Sequence, residues 1–162
     1  MFGFNRGKKV RFSHTNIVSA DWKRLSKFYR NVFGCHQVGP VRKLSGDAVS
    51  GGTGVPDAII EGIHLSLPDC EDSGITLEIF QYMEGVNREV AYANSRGITH
   101  LAFEVEDLVD ICAKVVRNGG WMLGKVVKQN VKGVGVCEFL YVRDPERNII
   151  EIQKWTKPEK RT

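Results

Sequence analysis

Gly97-Ile98-Thr99-His100-Leu101-Ala102-Phe103-Glu104-Val105 is the stretch from which the fold can be read. Side chains in a strand alternate between two faces, so Leu101, Phe103 and Val105 make one apolar face. His100 falls on the other face, with Ile98, Ala102 and Glu104. Asp107 follows as an N-cap, and Leu108, Ile111, Cys112, Val115 and Val116 recur at helical spacing over 108–118. Gly119-Gly120 ends that helix. Strands are predicted over 121–128, 136–142 and 149–154. Asp144-Pro145-Glu146-Arg147-Asn148 turns the chain between the last two, since proline presets φ and Asp and Asn favour local turn bonds.

The same order stands earlier in the chain. A strand over 10–18 contains Phe12-Ser13-His14-Thr15-Asn16-Ile17-Val18, and Asp21 is placed to cap a helix over 22–32. Trp22, Leu25, Phe28, Tyr29 and Val32 form the apolar face of that helix, and Gly34 stops it. Strands are predicted over 35–44, 59–67 and 76–82, while the glycine-rich 45–57 reads as a mobile surface loop. The chain is therefore a doubled βαβββ pattern. One module spans 10–82, a linker 83–96, the second module 97–155 and a tail 156–162. The fold class is α+β, with two βαβββ modules forming a cup-shaped mixed β-sheet and helices on its outer face.

Each module carries a later apolar strand with a glutamate at its centre, Ile75-Thr76-Leu77-Glu78-Ile79-Phe80 and Ile149-Ile150-Glu151-Ile152. A lone charge buried in such a strand costs several kcal/mol unless something pairs with it. Imidazole and carboxylate together bind divalent metals, and the duplication places His14, Glu78, His100 and Glu151 on concave faces able to meet across a pseudo-twofold axis. These four are the expected ligands of one divalent ion. Asn16, Thr76, Phe80 and Gln153 each lie two residues from a ligand on the same face, and are candidates to line the cavity and bind substrate. His36 and His64 have no duplicated partner and read as solvated or structural. Tyr141 reads as a structural sheet tyrosine able to donate a phenolic proton.

Composition narrows the class of partner. A hydrophobic fraction of 42% and a charged fraction of 26% belong to a soluble globular domain. The formal charge of +4 is spread along the chain, so no nucleic-acid footprint is expected. No apolar run approaches the roughly 20 residues that span a bilayer, so no membrane partner is expected either. The segment Met1 to Lys9 lacks the apolar stretch of a secretory signal, which points to the cytoplasm. Cys35, Cys70, Cys112 and Cys137 are scattered without a C-x-x-C pair and read as reduced, buried thiols.

Four stretches together resemble the vicinal oxygen chelate superfamily, which includes glyoxalase I, methylmalonyl-CoA epimerase, extradiol dioxygenases and resistance proteins of the bleomycin and fosfomycin types. They are Phe12-Ser13-His14-Thr15, Ser26-Lys27-Phe28-Tyr29-Arg30-Asn31-Val32-Phe33-Gly34, Gly97 to Val105 as quoted, and Asp144-Pro145-Glu146-Arg147-Asn148-Ile149-Ile150-Glu151. The resemblance implies an open cup around a metal held at His14, Glu78, His100 and Glu151, and a homodimer. Zinc, nickel, cobalt or manganese is the expected ion, with iron the alternative. The fourth ligand, Glu78, favours the lyase and isomerase or epimerase branch, in which a small carbonyl-containing substrate reacts through a metal-stabilised enolate. Glu151 is the first choice of base and Glu78 the second. The alternatives are an Fe(II)-dependent extradiol-type dioxygenase and a non-catalytic small-molecule-binding protein of the resistance type. The chain departs from glyoxalase I where that enzyme grips glutathione. Val18 and Tyr82 stand four residues after His14 and Glu78, where it has an arginine and an asparagine.

Overall fold

A computed structural model describes residues 10–87 and 89–156. Met1 to Lys9 and most of the tail lie outside the described residues. The first module runs β1 (His14–Val18), α1 (Trp22–Phe33), β2 (His36–Leu44), α2 (Asp47–Thr53), β3 (Ile60–Ser66) and β4 (Thr76–Tyr82). The second runs β5 (His100–Glu104), α3 (Leu108–Arg117), β6 (Trp121–Met122), β7 (Val127–Val131), β8 (Gly135–Arg143) and β9 (Ile149–Thr156). They form two mixed sheets, of order β1-β4-β3-β2 and β5-β9-β8-β6, with β7 also on β8. In each sheet the module's first strand pairs parallel to its last, and the remaining pairings are antiparallel.

Two segments differ from the sequence reading. The loop expected over 45–57 holds α2, closed by Gly54 in the left-handed region at φ 71°. The strand expected over 121–128 is broken into β6 and β7, which pair with the two halves of β8. Between them the Leu123 and Gly124 N–H groups both donate to the Tyr141 carbonyl, so the chain kinks there instead of continuing the ladder. Together β6 and β7 fill the place beside β8 that β2 fills beside β3 in the first module. The described part of the 83–96 linker contains neither helix nor strand.

Both major helices begin as their caps dictate. The Asp21 carboxylate accepts from Arg24 N at 3.0 Å, and that of Asp107 from Val109 N at 2.8 Å and Asp110 N at 3.0 Å. Gly34 closes α1 at φ 74°. Leu25, Phe28, Tyr29 and Val32 of α1 bury against Ile63, Leu65, Leu77 and Ile79 of the first sheet. Leu108 and Val115 of α3 join Leu140, Val142, Ile150 and Ile152 of the second sheet in the same core. The Phe33 and Phe103 rings stack at 4.1 Å and 9°, which ties α1 to the second module. One apolar core therefore sits between helices and sheets and leaves the opposite sheet faces for polar groups. No helix among the described residues is long and apolar enough to cross a membrane.

Candidate functional site

Strand alternation sets both glutamates on the sheet faces turned away from the core. Leu77 and Ile79 are buried in the core, so Glu78 between them faces the other way, and Ile150 and Ile152 do the same for Glu151. Glu78 is nonetheless only 8% exposed, which makes its partners decisive. Its Oε2 lies 3.5 Å from His14 Nε2 and accepts from Asn16 Nδ2 at 3.3 Å. Its Oε1 lies 3.3 Å from His64 Nε2. In the second module His100 Nε2 lies 3.2 Å from Glu151 Oε2. The register explains the likeness, because His14 stands opposite Thr76 and His100 opposite Ile149, each two residues before the glutamate.

Every histidine in these groups has a hydroxyl behind it. Nδ1 lies 3.3 Å from Ser13 Oγ in His14, 3.1 Å from Thr99 Oγ1 in His100 and 3.3 Å from Thr76 Oγ1 in His64. Each ring thereby turns Nε2 toward a carboxylate. A polar partner on the far nitrogen is also how metal-binding imidazoles are oriented. The donor types, imidazole nitrogen and carboxylate oxygen, fit a divalent cation. The four expected ligands stand as two His–Glu pairs. Among the described residues, no group of three or more His, Cys, Asp or Glu side chains is arranged to hold a metal ion.

The surrounding candidates have specific partners. Asn16 donates to Glu78, and Thr76 backs His64 instead of facing open space. The Phe80 ring meets the His64 ring edge-on at 5.6 Å. Gln153 Oε1 accepts from Trp155 Nε1 at 3.1 Å. His64, which has no duplicated partner in the sequence, is thus drawn onto Glu78, whereas His36 is exposed. Only the β3–β4 register reveals this, since it sets His64 directly opposite Glu78. Tyr141 occupies the matching place opposite Glu151 and packs edge-on to the His100 ring at 5.2 Å.

Burial shifts four titratable groups in the two sheets and the core behind them. It lowers the His64 pKa despite the opposing pull of Glu78, which favours a neutral imidazole. It raises that of Tyr141, and the Glu151 charge raises it further. Cys137 is raised by burial and then by Glu151 and Glu104. Cys35 is pushed up to about 12 by burial, so that thiol is an inert core group. All four cysteines are free, with Cys70 and Cys112 only partly buried.

A cavity of about 810 Å³ opens beside the pairs, between the edge strands β1 and β5. Asn16, Val18, Tyr82, His100 and Arg147 are among its lining residues, so the cavity reaches one histidine of the two pairs.

Solved structures with this architecture are known. A glyoxalase family protein from Bacillus cereus is 18% identical, aligned over 94% of this chain and 99% of that one, with a TM-score of 0.79. A glyoxylase/bleomycin resistance protein/dioxygenase domain from Frankia sp. EAN1pec is 16% identical over 92% and 100%, with a TM-score of 0.56. A glyoxalase family protein from Enterococcus faecalis is 20% identical over 91% and 98%, at 0.54. At these identities the likeness concerns the fold. No curated protein matches the chain. The sequence pattern of one family matches residues 11–152, nearly the whole described chain. With the paired βαβββ modules and the duplicated His–Glu arrangement, this match places the chain in the glyoxalase/bleomycin resistance protein/dioxygenase superfamily.

Proposed function

We propose that the protein is a divalent-metal-dependent lyase or isomerase acting on a small oxygenated substrate, at the carbon beside a carbonyl. The observation that carries this reading is the repeated pair, His14 with Glu78 and His100 with Glu151, at the same register offset in both sheets. His14, Glu78, His100 and Glu151 would hold the ion. When bound, the ion supplies Lewis-acid polarisation of the substrate's oxygens. Glu151 takes the proton from carbon and returns it. Its carboxylate has the His100 imidazole as its one close partner among the described residues, where Glu78 has three, so it is the less restrained of the two glutamates. Glu78, held at both oxygens, is the fixed ligand. The adjoining cavity admits the substrate past Asn16, while Thr76, Phe80 and Gln153 lie around the paired residues on the sheets.

The test begins with protein stripped of metal by a chelator and titrated calorimetrically with zinc, nickel, cobalt and manganese. One ion per chain is expected, with binding lost in His100→Ala. Incorporation of solvent deuterium beside the carbonyl of α-hydroxy carbonyls or thioesters, abolished in Glu151→Gln, is the expected catalytic signature. Ferrous iron with oxygen consumption on catechols would replace this reading with the dioxygenase one. Small-molecule binding without metal uptake would replace it with a non-catalytic binder.

A further inference from the structure

We infer that His64 is a positioning residue that fixes Glu78 as a stationary ligand and leaves proton transfer to Glu151. This rests on the metal-site reading above. The two glutamates occupy equivalent places, and their surroundings differ at two positions. On one side of Glu78 stands Asn16, where Glu151 has Ala102. On the other stands His64, where Glu151 has Tyr141. Both differences add nitrogen donors to Glu78. The Asn16 amide and the His14 ring face Oε2 at 3.3 and 3.5 Å, while the His64 ring alone faces Oε1 at 3.3 Å. Among the described residues, neither Ala102 nor Tyr141 hydrogen-bonds Glu151.

The His64 ring is itself held from behind. The Glu78 carboxylate can only accept, so the ring proton is assigned to Nε2, which donates to Oε1, and Nδ1 is left to accept from the Thr76 hydroxyl. The Phe80 ring packs edge-on against the imidazole at 5.6 Å. His64 therefore occupies the oxygen turned away from His14 and leaves Oε2 directed at the other expected ligand of its module. A carboxylate anchored at one oxygen presents the other with less loss of rotational freedom on binding a cation. One without such an anchor swings more easily between cation and proton.

The test is metal affinity, read on chelator-stripped protein by competition with a metal-sensitive dye for cobalt and zinc. Outer partners of this kind carry about 10–100-fold in affinity, and His64→Leu should lose that much. His64→Gln keeps a terminal N–H donor and should stay within about threefold of the wild type, as should Tyr141→Phe, where no anchor exists to lose. Unchanged affinity in His64→Leu overturns the assignment. So does a loss in His64→Gln as deep as in His64→Leu, which would mean that the imidazole is needed for something other than its N–H. If His64→Leu does not fold, judged by circular dichroism, Thr76→Val replaces it. A several-fold loss there supports the anchored ring, and none overturns it. A wild-type protein that takes up no metal sinks the metal-site reading and this inference with it, whereas normal uptake with an indifferent His64→Leu sinks this inference alone.

Discussion

Arg147 holds φ at 70°, a left-handed conformation that side chains bearing a Cβ resist. The turn imposes it. Arg147 N donates to the Asp144 carbonyl at 3.0 Å, while the Asp144 carboxylate accepts from Glu146 N at 2.8 Å and Asn148 N at 2.9 Å. The Arg147 carbonyl in turn accepts from the buried Arg143 guanidinium. Arg147 takes part in these bonds through its main chain alone, and its side chain is exposed. Arg147→Gly should therefore relieve the strain and keep every bond. The relief of about 1 kcal/mol is partly offset by the greater freedom of glycine in the unfolded chain, for a net gain of about 0.5 kcal/mol. Urea unfolding midpoints of the two proteins measure it. A lower midpoint would mean that the arginine side chain supports the cavity wall it lines.

At the scale of strands, the β3–β4 pair is closer than side chains allow at one point. A Cβ on Gly62 would come within 2.2 Å of the Ile79 carbonyl and 2.6 Å of the Phe80 ring. Backbone cannot retreat cheaply inside a four-stranded sheet, so Gly62→Ala should cost about 1–3 kcal/mol or more by thermal unfolding. It should also disturb Phe80 and through it His64. This close pairing shows where sequence reading reached its end. Alternation along one strand is local, so Leu77, Glu78 and Ile79 announce their faces, and the duplicated His14 and His100 announce theirs. Which residue of β3 lies opposite Glu78 depends on the connection between β3 and β4, which no local period records. His64 was consequently indistinguishable from a solvated histidine. The β6–β7 break was hidden for a related reason. Its cause is a pair of main-chain bonds to Tyr141 O, and Leu123 and Gly124 carry no side-chain sign of them.

Across the whole molecule, the two modules are joined by α1 and the β8–β9 turn as much as by the shared core. Glu146 accepts from Ser19 Oγ at 2.8 Å and from Ala20 N and Asp21 N at 2.9 Å, which sets a carboxylate at the start of α1. Arg24 reaches the Pro145 carbonyl at 2.8 Å, and the Asn31 amide reaches Asn118 at 2.8 Å. At the centre, the Tyr29 hydroxyl donates to Asp144 Oδ2 at 3.0 Å with both residues fully buried. Burial first, and then the Asp144 charge, hold the Tyr29 phenol well above its ordinary value of 10.0. Asp144 is likewise raised by burial, against the hydrogen bonds that favour its charged form. Tyr29→Phe keeps the packing and removes one donor from a buried carboxylate, so it should cost about 1.5–3 kcal/mol near neutrality. The pH dependence gives a sharper signature. Above about pH 10 the unfolded chain releases the Tyr29 proton while the folded chain retains it, so the unfolded state binds fewer protons and stability falls as pH rises. Tyr29→Phe lacks this slope, and the gap between the two proteins should narrow from pH 9 toward pH 11, as checked by chemical unfolding at a series of pH values. A gap that stays constant over that range would mean that the phenol already ionises in the folded protein, and that the contact between the modules is open to solvent.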